Sequence, residues 1–300
     1  MTRISREGTR APASLSSSQG VSGPLFSLER VTYRYPHEPA GARPALDSIS
    51  LDVPRGEYLA LLGHNGSGKS TLGRLLNGLL LPTSGAVRVA GMNTRAASSR
   101  ATVRELVGMI FSDPDNQIIA TQVEDDVAWG LAARGLPLNE IAVRVETALD
   151  AVGMTHARER APHQLSGGQR QRLAIAGVLA LEPACIVADE PTAQLDPQAR
   201  LEVTGLLHQL HRERGLTVVH VTHLLEEAAL ADRIVVLDSG RIALSGTPAT
   251  LFGDLDRLRA LRLAIPDVAQ LGERLRAQGV AVPPQALTPE MLVAALDGHS

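Results

Sequence analysis

Residues 63 to 70 read Gly63-His64-Asn65-Gly66-Ser67-Gly68-Lys69-Ser70, which fits the spacing G-x-x-x-x-G-K-[ST] at every fixed position. Such a loop works only between a strand that delivers it and a helix that leaves it, so it dictates a strand–loop–helix unit. The flanks agree. Tyr58 to Leu62 is an apolar run of strand length, and Thr71 to Leu76 has helical character. Glycines at 63, 66 and 68 let the backbone turn its N–H groups inward as an anion nest. The following helix adds its positive N-terminal end. Residues Gly63 to Thr71 are therefore the expected contacts to the phosphates of a nucleotide, and the Ser70 hydroxyl is placed to ligate Mg²⁺. Lys69 is the single lysine among 29 Lys+Arg residues. A chain that otherwise uses arginine keeps a compact ammonium where a charge must slot between phosphate oxygens, a place too narrow for a guanidinium fork.

The 300 residues, 44% hydrophobic and 20% charged, describe a globular chain of one large domain with a small addition. No apolar run approaches the ~20 residues needed to span a bilayer, so any membrane role must pass through a partner. A net charge of −3 makes no electrostatic case for nucleic acid. The lone Cys185 cannot form an internal disulfide and lies in an apolar strand, where a buried, inert thiol is expected. Residues 1–23 are rich in Ser, Arg, Gly and Pro, and a disordered leader is expected there.

Strand and helix patterns alternate along the rest, which argues an α/β domain. Leu25 to Tyr35 and Ala45 to Val53 read as strands flanking a Pro/Gly-rich hairpin. Val87 to Ala90, Val107 to Phe111, Cys185 to Ala188, Thr217 to Val221 and Ile234 to Leu237 read as short apolar strands. Between Pro114 and Pro162 the pattern turns helical. Val123, Val127 and Leu131 share one face, behind the acidic first turn Glu124-Asp125-Asp126. Ile141, Val145, Ala148 and Val152 repeat that spacing.

Three further features carry chemistry. The strand Cys185-Ile186-Val187-Ala188 ends in Asp189 and Glu190. Asp189 is expected beside the phosphate loop, orienting Mg²⁺ or its waters. Glu190, one residue on, points elsewhere and can polarise a water for attack on the γ-phosphate. Leu165-Ser166-Gly167-Gly168-Gln169 opens a helix with exposed N–H groups, a second anion site. His223 follows the strand Thr217 to Val221, which sets an imidazole at a strand's C-terminal end.

Taken together, the phosphate loop, Leu-Ser-Gly-Gly-Gln, the Asp-Glu pair, Leu195-Asp196 and His223 resemble ATP-binding-cassette (ABC) ATPases over roughly residues 24–250. The order and spacing are specific, since Leu-Ser-Gly-Gly-Gln occurs in few other phosphate-loop proteins. The resemblance implies a P-loop ABC fold with an antiparallel β subdomain, a helical insert at about 113–165 and a short helical C-terminal extension. It implies two cassettes paired head to tail, each ATP lying between one phosphate loop and the partner's Ser166, Gly167, Gly168 and Gln169. It implies that Tyr35 stacks on adenine, that Glu190 is the catalytic base, that His223 contacts the γ-phosphate and that Asp196 couples the two sites.

A narrower resemblance lies in Phe111-Ser112-Asp113-Pro114-Asp115-Asn116-Gln117-Ile118 and the Glu124 to Leu131 helix after it. The run looks like the ATPase subunit of energy-coupling factor transporters, which import vitamins or cobalt and nickel ions. Leu263 to Leu296 is similar to that family's C-terminal extension. The implied organisation is a leader (1–23), a cassette (24–251) and a dimerisation extension (252–300). The implied partners are a second ABC ATPase, identical or a paralogue, a transmembrane scaffold subunit and a substrate-binding membrane subunit. The implied place is the cytoplasmic face of the cell membrane. In the extension, Val268, Leu271 and Leu275 repeat at helical spacing, and Thr288-Pro289 reads as a helix start ahead of Met291, Leu292, Ala295 and Leu296.

One position departs from the family. Where its pattern carries a glutamine that reaches the metal and the attacking water, this chain has Ser112, whose side chain is too short to span that gap. A slower site, the weaker half of an asymmetric pair, or a bridging water each accommodates the change. Other readings are an ATPase subunit of another ABC transporter, an exporter included, and a soluble cassette protein acting on ribosomes or DNA. The soluble kind carries two cassettes or a long coiled coil, and this sequence shows neither. The transported solute is not written in the cassette.

Overall fold

The computed structural model describes residues 23–36, 39, 41–284 and 286–297, so nearly all of the expected leader lies outside the described residues. The first half of the chain runs β1 (Phe26–Tyr33), β2 (Leu46–Val53), β3 (Tyr58–Leu62), α1 (Lys69–Leu76), β4 (Ser84–Val89), β5 (Met92–Asn93), α2 (Arg100–Leu106), β6 (Val107–Ile110), α3 (Val123–Ala133) and α4 (Leu138–Ala151). It continues through α5 (Gly167–Leu179), β7 (Cys185–Asp189), α6 (Pro197–Arg214), β8 (Thr217–Thr222), α7 (Leu225–Ala228), β9 (Arg233–Asp238) and β10 (Arg241–Gly246). Four short helices close it: α8 (Pro248–Leu251), α9 (Leu255–Ala260), α10 (Asp267–Ala277) and α11 (Pro289–Asp297).

The strands form two sheets. One is antiparallel, in the order β2-β1-β4-β5; the other follows β10-β9-β3-β8-β7-β6 and is parallel except for β10. Strand β3 is buried throughout because the larger sheet has a core on each side. Tyr58, Ala60 and Leu62 enter one core, with Val123, Val127 and Leu131 of α3 and Ile141, Val145 and Ala148 of α4. Leu59 and Leu61 enter the other, with Leu72, Leu75 and Leu76 of α1 and the inner face of the antiparallel sheet. Cys185 lies in this second core, fully buried, and burial pushes its thiol pKa well above the ordinary value.

The parallel registers bring the C-terminal ends of β3, β7, β8 and β9 to one edge: Leu62 pairs with Thr222 and with Val236, and Asp189 with Val221. Ligand sites of open α/β sheets form at that edge. Strand β10 is absent from the sequence reading. Its burial alternates weakly and it holds a sheet edge, so no apolar run marks it. Its turn from β9 puts Ser239 and Gly240 at φ values of 50° and 79°, the left-handed pair of a tight hairpin.

Beyond β10 the chain packs back on the cassette. Phe252, Leu255, Leu258 and Leu263 are buried in the first core, while Val282, Ala286 and Leu292 form a small cluster of their own. Thr288 starts α11 as read, its hydroxyl accepting the Met291 N–H at 3.3 Å. Leu271, Val293 and Leu296 stay 48%, 54% and 38% exposed.

Candidate active site

The phosphate loop hangs between β3 and α1, and its shape depends on glycine. Gly68 has φ 106°, and a Cβ there would lie 2.5 Å from the Ala45 carbonyl oxygen. The β9–β10 turn braces the loop. Gly240 N–H donates to the Ser67 carbonyl at 3.0 Å, and His64 Nε2 lies 2.9 Å from Asp238 Oδ1. Lys69 Nζ donates to the carbonyls of Gly63 and His64 at 2.7 and 3.2 Å. Burial pulls its ammonium below the usual lysine pKa, against the charges of Glu190 and Asp189. Ser70 Oγ donates to Asp189 Oδ1 at 2.7 Å, which joins helix α1 to strand β7. Burial raises the Asp189 pKa, and the Ser70 bond and the Arg74 charge oppose it.

Glu190 follows β7 with φ 48°, a left-handed backbone that is uncommon outside glycine. Its carboxylate reaches both neighbours: Oε1 lies 3.5 Å from Lys69 Nζ, and Oε2 lies 3.6 Å from His223 Nδ1. The second distance is longer than a hydrogen bond. Asp189 and Glu190 thus diverge as the sequence implies, one toward Ser70 and the other toward Lys69 and His223.

A cleft of about 690 Å³ gathers Tyr35, Asn65, Gly66, Gly68, Lys69, Ser70, Thr71, Ser112, Asp189 and Glu190. Tyr35 stands at its mouth, 38% exposed, its hydroxyl 2.9 Å from that of Thr71. Ser112 follows Phe111, whose backbone is held by two glutamines. Gln117 Oε1 accepts the Phe111 N–H at 3.2 Å, and Gln171 Nε2 donates to the Phe111 carbonyl at 3.2 Å. Gly63, His64 and Ser67 shape the loop without lining the cleft.

The signature residues and Asp196 lie apart from the cleft lining. Ser166 caps α5 in a capping box: its Oγ accepts the Gln169 N–H at 3.3 Å, and Gln169 Oε1 accepts the Ser166 N–H at 3.0 Å. Of the four signature N–H groups, this leaves those of Gly167 and Gly168 for an anion. Asp196 caps α6, accepting the Ala199 N–H at 3.0 Å.

Sequence reasoning missed Arg43, Arg74, Ser239 and Gly240, which also line the cleft. Arg74 was within reach, because it lies one helical turn after Ser70. The other three sit on a hairpin and an edge turn that carry no motif.

Hard oxygen donors, the Ser70 hydroxyl and the buried Asp189 carboxylate, meet at hydrogen-bond distance beside Lys69. That donor set suits Mg²⁺, which takes one or two protein oxygens along with substrate phosphates.

The ABC transporter family model matches residues 46–193. The chain is 55% identical over 280 residues to the energy-coupling factor transporter ATP-binding protein EcfA1 of Symbiobacterium thermophilum, covering 92% of this chain and 98% of that one. Among solved structures, cbiO1 from Clostridium perfringens, part of the ABC transporter complex cbiONQ, superposes with a TM-score of 0.73 at 36% identity, covering 84% of this chain and 99% of that one. A dimeric ATP-binding cassette in a post-hydrolysis state with ADP and Pi superposes with a TM-score of 0.67 at 30% identity, over 75% of this chain and 99% of that one. A P-loop cassette fold, a cleft built around Lys69, Asp189 and Glu190, and relatives this close over nearly the whole length place the chain in the ABC transporter family, among the energy-coupling factor transporter ATP-binding proteins.

Proposed function

We propose that this chain is the ATP-hydrolysing subunit that powers a membrane importer for a vitamin or a transition-metal ion. The observation that carries the reading is the meeting of Lys69, Ser70, Asp189 and Glu190 in one cleft, Ser70 bonded to Asp189 and Lys69 facing Glu190. The loop N–H groups and Lys69 bind the phosphates. Glu190 Oε2 takes a proton from the attacking water, with His223 on its far side to meet the γ-phosphate. Ser70 and Asp189 would hold Mg²⁺, which supplies neutralisation of charge on the phosphate oxygens. Tyr35 offers its ring to the adenine.

A second cassette completes each site in this reading, its Ser166, Gly167, Gly168 and Gln169 closing over the ATP while Asp196 couples the two sites. That partner is a second copy or a paralogue. Residues 252–300 assist the pairing. Leu271, Val293 and Leu296 remain exposed on α10 and α11, an apolar surface that a partner's copy can cover. Among the described residues no helix is long and apolar enough to cross a membrane. Transport then needs a transmembrane scaffold subunit and a substrate-binding membrane subunit, with this chain bound at the cytoplasmic face.

The test is steady-state ATP hydrolysis and nucleotide binding by the full-length protein. Lys69→Ala should abolish binding. Glu190→Gln should keep binding and lose ~10²–10⁴-fold in turnover, the usual cost of removing a catalytic base. Wild-type turnover by Glu190→Gln would overturn the assignment.

A further inference from the structure

We propose that His220, together with Tyr58, is a positioning pair for ATP hydrolysis: it holds the Glu227 carboxylate that ties the Glu190 loop to the His223 loop. The inference rests on the roles given above to Glu190 and His223. None of Tyr58, His220 and Glu227 lines the cleft.

Glu190 keeps a left-handed backbone, so its surroundings must hold it there. Two backbone bonds contribute: Glu190 N–H to the Val221 carbonyl at 2.9 Å, and Ala193 N–H to the Glu190 carbonyl at 3.2 Å. The third restraint is a side chain. Thr192, two residues past Glu190, donates its hydroxyl to Glu227 Oε1. The other oxygen of the same carboxylate, Oε2, accepts the Thr222 hydroxyl at 2.5 Å, and Thr222 immediately precedes His223. Thr222 Oγ1 in turn accepts the Leu224 N–H at 3.1 Å, which closes the loop around His223. One carboxylate therefore joins the backbone ladder in setting the separation of the two loops, whose side chains lie 3.6 Å apart.

That carboxylate is 3% exposed, and among the described residues no lysine or arginine pairs with it. What faces it is His220, fully buried, with Nε2 3.4 Å from Glu227 Oε2. The nitrogen is off line for a hydrogen bond, so the contact acts mainly through charge and dipole. Tyr58 fixes the orientation of that ring. Its hydroxyl lies 3.0 Å from His220 Nδ1, on the opposite side of the imidazole from the nitrogen that faces Glu227. Burial alone would raise the Glu227 pKa. The contacts with His220, Thr192 and Thr222 outweigh it and bring the group down to about 2, so the tether remains an anion with two acceptor oxygens. Without His220 this buried charge loses its electrostatic partner, and both threonine bonds are free to rearrange.

The experiment measures kcat, KM for ATP and nucleotide binding on the full-length protein. His220→Leu should lower kcat ~10-fold or more, the scale of a small displacement of reacting groups, while KM and nucleotide binding stay at wild-type values. His220→Gln, which keeps an N–H donor, should restore most of the loss. Thr192→Val, nearly isosteric, should give a similar fall, and the double variant His220→Leu/Thr192→Val should fall little further. If His220→Leu yields no folded protein, Tyr58→Phe, which removes one hydroxyl and keeps the ring, carries the same expectation at smaller size. Wild-type kcat in His220→Leu, or a fall in kcat matched by a rise in KM, or no restoration by glutamine, overturns the proposal. Glu190→Gln run in parallel separates the two levels. Its inactivity beside a fully active His220→Leu removes only the positioning role, whereas an active Glu190→Gln removes the base and this inference together.

Discussion

Gly240 donates its N–H to the Ser67 carbonyl at 3.0 Å, so an edge hairpin far along the chain helps to set the shape of the phosphate loop. The same turn supplies Asp238, 2.9 Å from His64 Nε2. The brace joins two loops at the end of adjacent strands β3 and β9, and Ser239 and Gly240 of the same turn line the cleft.

Asp238→Ala should therefore weaken ATP binding and spare chemistry. The two side chains are 20% and 35% exposed, so the pair is worth at most about 1 kcal/mol, or roughly fivefold in KM. Steady-state kinetics should show a higher KM for ATP with kcat unchanged. A fall in kcat alone would mean that the brace acts on the reacting groups.

Ser112→Gln should raise the ATPase rate or tighten its coupling to the membrane partner. Ser112 lines the cleft, and its predecessor Phe111 is fixed by Gln117 and Gln171, so a longer side chain would start from a held backbone. The assay compares the purified transport complex with and without substrate loading. Unchanged or lower rates in both states would show that another group already fills the gap.

Removal of the residues after Ile265 should weaken pairing of the cassettes and leave nucleotide binding intact. The cut is placed there because Phe252, Leu255, Leu258 and Leu263 belong to the cassette core, which a cut at residue 253 would open, whereas a cut after Ile265 takes only Ala269 and Leu287 from it. Sedimentation of truncated and full-length protein without nucleotide decides it. Equal monomer–dimer equilibria would exclude a role in pairing.

Acid stability should report Glu227. Its pKa falls from 4.5 to about 2 in the folded chain, so the folded state favours the ionised form. The stability it contributes is complete above pH 4.5 and is lost as pH falls toward about 2. In denaturant titrations, the gap between wild type and Glu227→Gln should hold steady above that window and narrow through it. A gap independent of pH would show that the carboxylate is not held as an anion.

Much of the site is legible in the chain because its residues sit at the ends of short buried runs. Strands β3 and β7 are apolar on both faces, which marks them and points to the loop and the acidic pair that follow. Strand β4 shows the limit: it begins at Ser84, but no large apolar residue comes before Val87 to betray it. Strand β10, Ser239 and Gly240 escape for the same reason. The meeting of Tyr58, His220 and Glu227 escapes differently. Their partnership spans three elements, and a histidine inside a buried strand carries no spacing that announces whom it faces.

Lys69 is 4% exposed and holds the only lysine side-chain amine in 300 residues. An amine-directed reagent therefore has one side-chain address on this protein, and that address is the floor of the nucleotide cleft. Acylation at Lys69, followed by mass, becomes a gauge of who occupies the cleft and when it opens, with no engineered label and no competing lysine to subtract.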